Sequence, residues 1–171
     1  MKSLSELAGE TLAIHQPSVW KNNYEFKHGE TLLGTIRSKG FFGTNMFFKM
    51  GNDEWQIYRP SFWKSEIGIR QAGYELPYAT YKRSGFKTRG IVKCYKGEQM
   101  VIEFKMFHGG YSIKNSSGEL LVSFKDRISL KEKTELVIEQ KSELLDKYPW
   151  VIILAWFLSL QRRRSQHAAA G

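Results

Sequence analysis

The most restrictive feature of this 171-residue chain is a short apolar segment near its C-terminus, Pro149 to Leu160, bracketed by Lys147 and three consecutive arginines. As an α-helix this segment would rise about 18 Å, whereas a bilayer core of about 30 Å needs about 20 residues. A helix that is apolar on every side must be enclosed on every side. The segment therefore predicts a buried helix that the rest of the chain surrounds. A tail anchor, helped by the flanking basic side chains and by bilayer thinning, is the alternative.

Glycines followed by polar residues recur every 21 to 24 residues, at Gly29, Gly51, Gly73, Gly97 and Gly118. Each of them lies between two short segments rich in β-branched and aromatic residues, which is the pattern of a β-hairpin. A repeat of this length commonly corresponds to one supersecondary unit. The five hairpins supply ten predicted strands.

Two further segments bring the number of predicted strands to about twelve. They are Thr11 to Ile14 and Glu135 to Gln140, although Ser129 to Lys147 can also be read as helix from its Lys, Glu and Leu content. A meander of so many short strands tends to close and so remove its edges. We therefore predict a mainly β fold, a closed antiparallel β-barrel around the C-terminal hydrophobic helix Pro149 to Leu160. It forms one domain over residues 1–164, followed by a disordered tail over 165–171.

This organisation, from about Tyr24 onward, resembles the tubby C-terminal-like superfamily, which includes phospholipid scramblases and the plant LURP-one-related proteins. The resemblance rests on the Gly-Glu hairpins, the last strand Glu135 to Gln140, the acidic linker Ser142 to Asp146 and the apolar helix. It implies a twelve-stranded barrel around a C-terminal helix. Tubby proteins bind phosphoinositide headgroups through basic side chains on the barrel, but no motif here lets those residues be transferred. Calcium is not implied, because Lys125 to Glu132 lacks the alternating Asp, Asn and Gly of a calcium loop.

No motif in the sequence predicts an enzyme, a metal site or a cofactor. GxSxG, GxGxxG and phosphate-loop patterns are absent, and the four histidines are far apart. Cys94 alternates with its neighbours in a predicted strand and is interpreted as a small buried residue rather than a nucleophile. A single cysteine excludes an intramolecular disulfide and favours a reducing compartment. We therefore expect a cytoplasmic protein, with peripheral membrane association as a further hypothesis.

Positive charge is concentrated where the hairpins are joined to one another. The chain carries 26 Lys and Arg against 17 Asp and Glu, a formal net charge of +9. In an up-and-down meander the hairpin turns share one end of the barrel and the connections share the other. Five basic and six acidic residues lie near the turns, whereas only three acidic residues lie near the connections. The basic residues near the connections number thirteen: Arg37, Lys39, Arg59, Lys64, Lys82, Arg83, Lys87, Arg89, Lys105, Lys125, Arg127, Lys131 and Lys133.

Two connections place a phenylalanine beside basic residues, Phe41 after Lys39 and Phe86 after Arg83. Such a combination suits a membrane interface, where each cation near an anionic surface contributes about 1 kcal/mol. The predicted function is a non-enzymatic intracellular binding module that engages anionic phospholipid. Nucleic-acid binding by the same surface is an alternative, as are ordinary solvated loops. The candidate ligand-binding residues are Arg37, Lys39, Lys82, Arg83, Lys87 and Arg89.

Overall fold

Twelve strands and two α-helices make up the computed structural model, which describes residues 3–18, 22–39, 45–60, 66–85, 88–105, 110–127 and 133–170. A short 3-10 helix, Leu4–Leu7, precedes them. The helices are α1, Glu143–Lys147, and α2, Trp150–Ala170. The strands are β1 Thr11–His15, β2 Asn23–His28, β3 Thr31–Lys39, β4 Asn45–Met50, β5 Asp53–Tyr58, β6 Glu66–Gln71, β7 Ala79–Arg83, β8 Arg89–Cys94, β9 Gln99–Phe104, β10 Gly110–Asn115, β11 Leu120–Arg127 and β12 Lys133–Ile138.

The strands form a closed antiparallel barrel in which each strand pairs with its neighbours in sequence. β1 and β12 complete the circle, from Thr11 opposite Val137 to His15 opposite Lys133. The predicted fold class is therefore confirmed, including the strand rather than helix near residue 135. All five turn glycines predicted from the repeat have positive φ angles, between 56° and 96°. Glycine adopts this left-handed conformation without a steric penalty, which explains why it recurs at the turns.

The first half of α2 fills the barrel, as the apolar segment predicts. Every residue from Trp150 to Leu158 is at most 7% exposed. Trp156 packs edge-on against Tyr24 of β2 with the ring centroids 4.7 Å apart. Complete burial of one large aliphatic side chain contributes about 1.5–3 kcal/mol, so this helix is a major source of stability. Across the described ranges of the chain, no helix combines the length and the apolar character needed to cross a bilayer.

Several element boundaries differ from the prediction, including that of β12, which is Lys133–Ile138 rather than Glu135 to Gln140. α2 continues to Ala170, whereas the apolar pattern placed its end at Leu160 and a disordered tail from residue 165. Gln, Arg and Ala are good helix formers, and residues 161–170 contain no Gly or Pro, so the helix continues after its apolar part ends. β7 begins only at Ala79, six residues after the turn glycine Gly73. Pro77 has no backbone N–H to donate to the neighbouring strand, which disfavours pairing there.

The two ends of the barrel differ in how they are covered. The end that holds the five turn glycines, hereafter the turn end, lies under the 3-10 helix and α1. There Ser5 donates from its backbone N–H to Asp146 at 2.8 Å and from its hydroxyl to the Ser142 carbonyl at 3.0 Å. Lys147 and Tyr148, just before α2, both bond to Glu98 in the β8–β9 turn. The opposite end, hereafter the basic end, is where β3, β5, β7, β9 and β11 finish and α2 emerges.

Candidate functional site

The predicted binding residues lie near the basic end but on different surfaces. Side chains alternate between the interior and the exterior along a strand. Arg37, Lys39, Lys82 and Arg89 occupy outward positions, whereas Arg83 continues the inward series that contains buried Tyr81. Lys87 lies outside the described residues. β3 and β7 are separated by three strands, roughly 19 Å around the wall at about 4.8 Å per strand. The predicted set is therefore not one cluster.

Arg37 and Lys39 flank an aromatic ring on the outer wall. The Arg37 guanidinium lies 5.8 Å and the Lys39 ammonium 5.2 Å from the ring centroid of Phe47 on β4. Arg37 also pairs with Glu54 of β5, with Nη2 and Oε1 2.6 Å apart. The Glu54 carboxylate offsets part of the local positive charge. The predicted pairing of these cations with Phe41 lies outside the described residues, as does the pairing of Arg83 with Phe86.

Lys82 and Arg89 lie on the outer wall of β7 and β8. Lys82 and Arg83 both line an outer cavity of about 370 Å³, together with Lys93 and Glu66. Arg89 stands opposite Glu103 in the β8–β9 register. Lys114, which hydrogen-bonds the Glu103 carboxylate at 2.6 Å, holds the pKa of that carboxyl below its ordinary value, and Arg89 contributes to the same shift. This outer surface is thus basic, but carboxylates offset part of its positive charge.

A second group of basic residues lies at the mouth of the barrel, where α2 emerges. We name this site the arginine cavity. It encloses about 390 Å³ between the ends of β5, β7 and β9 and one face of α2. Among its ten described lining residues, three are arginines and none carries a carboxylate. The lining residues are Arg59, Tyr81, Arg83, Phe104, Leu158, Gln161, Arg162, Ser165, Gln166 and Ala169.

Strand parity and helical periodicity explain why these residues meet. Arg59 follows buried Ile57 by two positions, and Arg83 follows buried Tyr81 by two positions, so both continue the inward-facing series of their strands. On α2 the lining residues Leu158, Arg162, Ser165 and Ala169 recur at intervals of three and four, which places them on one helix face. The cavity is therefore formed by strand ends and helix together.

Direct contacts hold two of the three arginines at the cavity. Arg59 donates from Nη2 to Oε1 of Gln161 on α2, at 2.5 Å. The Arg162 guanidinium lies over the Phe104 ring, 5.1 Å from its centroid. Such a cation–π contact orients the guanidinium plane. Both contacts tie the helix extension to the rim of the barrel.

The third arginine, Arg83, lines the cavity wall together with Tyr81. Burial raises the pKa of Tyr81, and the nearby Arg83 and Arg162 guanidinium groups oppose that rise. The Tyr81 ring occupies the space above Gly90 on β8, where an added Cβ would lie 2.3 Å from the ring carbon Cε2. Glycine at position 90 is therefore required for the position of Tyr81.

A buried polar network on the other side of α2 sets the rotation of the helix. Asp126 on β11 accepts hydrogen bonds from Ser159 at 2.9 Å and from Thr134 at 2.8 Å, and its side chain is 14% exposed. Arg163 also approaches this carboxylate, with Nε 3.9 Å from Oδ2. Because Ser159 and Arg163 face Asp126, Leu158 and Arg162 face the arginine cavity. Asp126 thus acts as a positioning residue for the cavity.

The arginine cavity is suited to binding an anion. Guanidinium groups donate paired hydrogen bonds to phosphate or carboxylate oxygens and stay charged at all physiological pH values. The Ser165 hydroxyl donates to the Gln161 carbonyl at 3.0 Å, and burial keeps the Tyr81 phenol protonated. None of the described lining residues is an Asp, Glu, His, Lys or Cys that could act as a general base or nucleophile. Cys94 is buried elsewhere in the barrel wall, as predicted, and burial raises its pKa to about 12.

Sequence reasoning identified one arginine of this cavity, Arg83, as a binding residue. It counted Arg59 among the basic residues near the connections and treated Arg162 as a flank of the apolar helix. Arg59 and Arg83 both continue the inward-facing series of their strands, and this alternation could have predicted from sequence that the two residues lie at the mouth of the barrel. That Arg162 lines the same cavity depends on how far α2 extends and how it is rotated.

No protein-family model, no curated protein and no solved structure matches this chain. The resemblance to the tubby C-terminal-like superfamily therefore stays a prediction.

Proposed function

We propose that this protein is a non-enzymatic intracellular binding module whose basic end engages anionic phospholipid at a membrane surface. The observation that carries the proposal is the concentration of arginines around the mouth of the barrel. Arg59 and Arg83 come from the barrel wall, and the helix extension adds Arg162, Arg163 and Arg164. The turn end instead lies under the 3-10 helix and α1.

The strength and the short range of the electrostatic attraction favour an arrangement in which the basic end faces the membrane. Each Lys or Arg near an anionic bilayer contributes about 1 kcal/mol, and the effect decays over a Debye length of about 8 Å at physiological salt. Only the basic residues of the end that faces the membrane are close enough to contribute fully. α2 extends ten residues past Leu160, or about 15 Å, and its three arginines lie in the first turn of this extension, next to the mouth of the barrel.

Vesicle sedimentation tests the proposal. The native protein is incubated with vesicles of phosphatidylcholine alone or with about one third phosphatidylserine. We expect binding to the anionic vesicles and a decrease as salt rises. Replacing Lys82, Arg83 and Arg89 by Ser should weaken this binding by about 1 kcal/mol per residue at most. Exposed substitutions change stability by less than about 0.5 kcal/mol, so the melting temperature should hardly change.

The matched control replaces three lysines near the turn end, Lys27, Lys49 and Lys114, by Ser. An equal loss from both triple variants would show diffuse attraction rather than an oriented surface. No binding of the native protein to anionic vesicles would overturn the proposal. Tighter binding to single-stranded DNA than to anionic vesicles at matched salt would instead favour a nucleic-acid-binding function.

A further inference from the structure

We propose that the arginine cavity is a specific binding site for a phosphate monoester attached to a small apolar or ring-bearing group. The phosphate would lie among Arg59, Arg83 and Arg162, which come from three separate elements and line one cavity. If the monoester belongs to a membrane lipid, this inference deepens the proposed function and rests on it. A soluble phosphate monoester presents the same chemistry.

The charge of the cavity favours a phosphate monoester over other biological anions. Three guanidinium groups line it, and no carboxylate is among its described lining residues, whereas Glu66 lines the adjacent cavity that Arg83 also borders. A phosphate monoester carries a charge of about −1.5 to −2 at pH 7 and three strong acceptor oxygens. A carboxylate or a phosphodiester carries one negative charge and two unesterified oxygens. The monoester therefore best matches three arginines, each of which can donate a fork of hydrogen bonds.

The remaining walls indicate what the phosphate is attached to. Phe104, Leu158, Ala169 and the Tyr81 ring provide an apolar lining beside the arginines. A volume of about 390 Å³ falls within the range of small-molecule sites, about 300–1,000 Å³. Inorganic phosphate alone would leave this apolar part unfilled. The ligand is therefore expected to carry an apolar or aromatic group next to its phosphate.

Titrations of water-soluble, monomeric ligands test the inference on the full-length protein. Inorganic phosphate, phenyl phosphate, dihexanoyl phosphatidic acid and dihexanoyl phosphatidylglycerol are compared by isothermal titration calorimetry. The two monoesters should bind at least tenfold more tightly than the diester phosphatidylglycerol and more tightly than inorganic phosphate. Preference for phosphatidic acid over phenyl phosphate would assign the ligand to lipid, and the reverse preference would assign it to a soluble metabolite.

Single substitutions locate the site. Arg59→Gln, Arg83→Gln and Arg162→Gln should each weaken monoester binding at least tenfold. Arg83→Lys keeps the charge but loses the planar fork, and should give an intermediate loss. The control Arg37→Gln removes an arginine near the same end of the barrel but on its outer wall, and should change binding less than twofold. Circular dichroism and thermal melting of each variant show whether it is folded.

The outcomes separate this inference from the proposed function. It is overturned if neither monoester binds the native protein, if the diester binds equally well, or if Arg37→Gln matches the cavity variants. Binding to phosphatidylserine vesicles without monoester binding would leave the membrane function standing and remove the specific cavity. Monoester binding without vesicle binding would remove the membrane function and assign the cavity to a soluble ligand.

Discussion

Ser159 on α2 donates a hydrogen bond to Asp126 on β11 across the interior of the barrel, with Oγ and Oδ2 2.9 Å apart. Ser159 is 4% exposed and follows an almost entirely apolar helical segment. An apolar helix surrounded by apolar strands has little to define its rotation. This directional bond therefore fixes which helix residues face each strand, including Arg162 at the arginine cavity.

Asp126→Ala should destabilise the protein by about 1–3 kcal/mol, because it leaves the buried Ser159 and Thr134 hydroxyl groups without their acceptor. Urea unfolding measures the change. Ser159→Ala should cost less, since Asp126 retains the bond from Thr134. The double variant should show a coupling energy of about 0.5–3 kcal/mol. Strictly additive effects would mean that the two side chains do not interact in solution.

Ile153→Asp should unfold the protein, because Ile153 is fully buried in the barrel and a lone carboxylate there costs several kcal/mol. That cost is comparable with the total stability of a domain. Circular dichroism and size-exclusion chromatography report the loss of structure. Ala168→Asp on the exposed helix extension is the control and should change stability by no more than about 1 kcal/mol. A folded Ile153→Asp variant with unchanged melting would be incompatible with a central helix.

Gly90→Ala should destabilise the barrel by about 1–3 kcal/mol, because the new Cβ would lie 2.3 Å from the Tyr81 ring. Since Tyr81 lines the arginine cavity, its displacement should also weaken binding of phenyl phosphate. Thermal melting and calorimetry give the two readouts. Gly85→Ala, where no atom lies within 4 Å of the added Cβ, serves as the control. Equal stability of the two variants would refute this packing of Tyr81 over Gly90.

Stability should depend on the protonation of Glu98 at acidic pH. Hydrogen bonds from Lys147 lower the pKa of this carboxyl from 4.5 to about 2, helped by backbone and Tyr148 hydrogen bonds. As the pH falls, the unfolded chain binds the proton first, so the contribution of Glu98 is complete above about pH 4.5 and is lost progressively toward pH 2. This contact joins the β8–β9 turn to the residues just before α2.

Glu98→Gln should therefore flatten the dependence of unfolding free energy on pH between about 4.5 and 2. Urea unfolding at a series of pH values measures that slope. Glu75→Gln, an exposed carboxyl in the β6–β7 connection, provides the comparison. A Glu98→Gln variant with the same slope as the native protein would exclude this contact as a source of acid sensitivity.

Local sequence was sufficient to predict the barrel. Gly29 and the four other turn glycines mark conformations that other residues rarely adopt, so the hairpins can be read from the chain directly. The segment from Trp150 to Leu158 is too short for a bilayer and apolar on every side, so its burial inside the strands also follows from sequence. Both inferences depend on neighbouring residues along the chain.

The arginine cavity was decided by the tertiary structure. Lys82 and Arg83 are adjacent in sequence and border one outer cavity, but only Arg83 also lines the arginine cavity. Arg59, Arg83 and Arg162 come together only because the barrel closes with a particular curvature and α2 extends beyond its apolar part. The bond between Ser159 and Asp126 then selects the helix rotation. The sequence thus determined the barrel, its turns and its buried helix through local conformational preference and burial. Contacts between residues far apart in the chain decided which cations share a surface, because charge patterns carry no information about such distances.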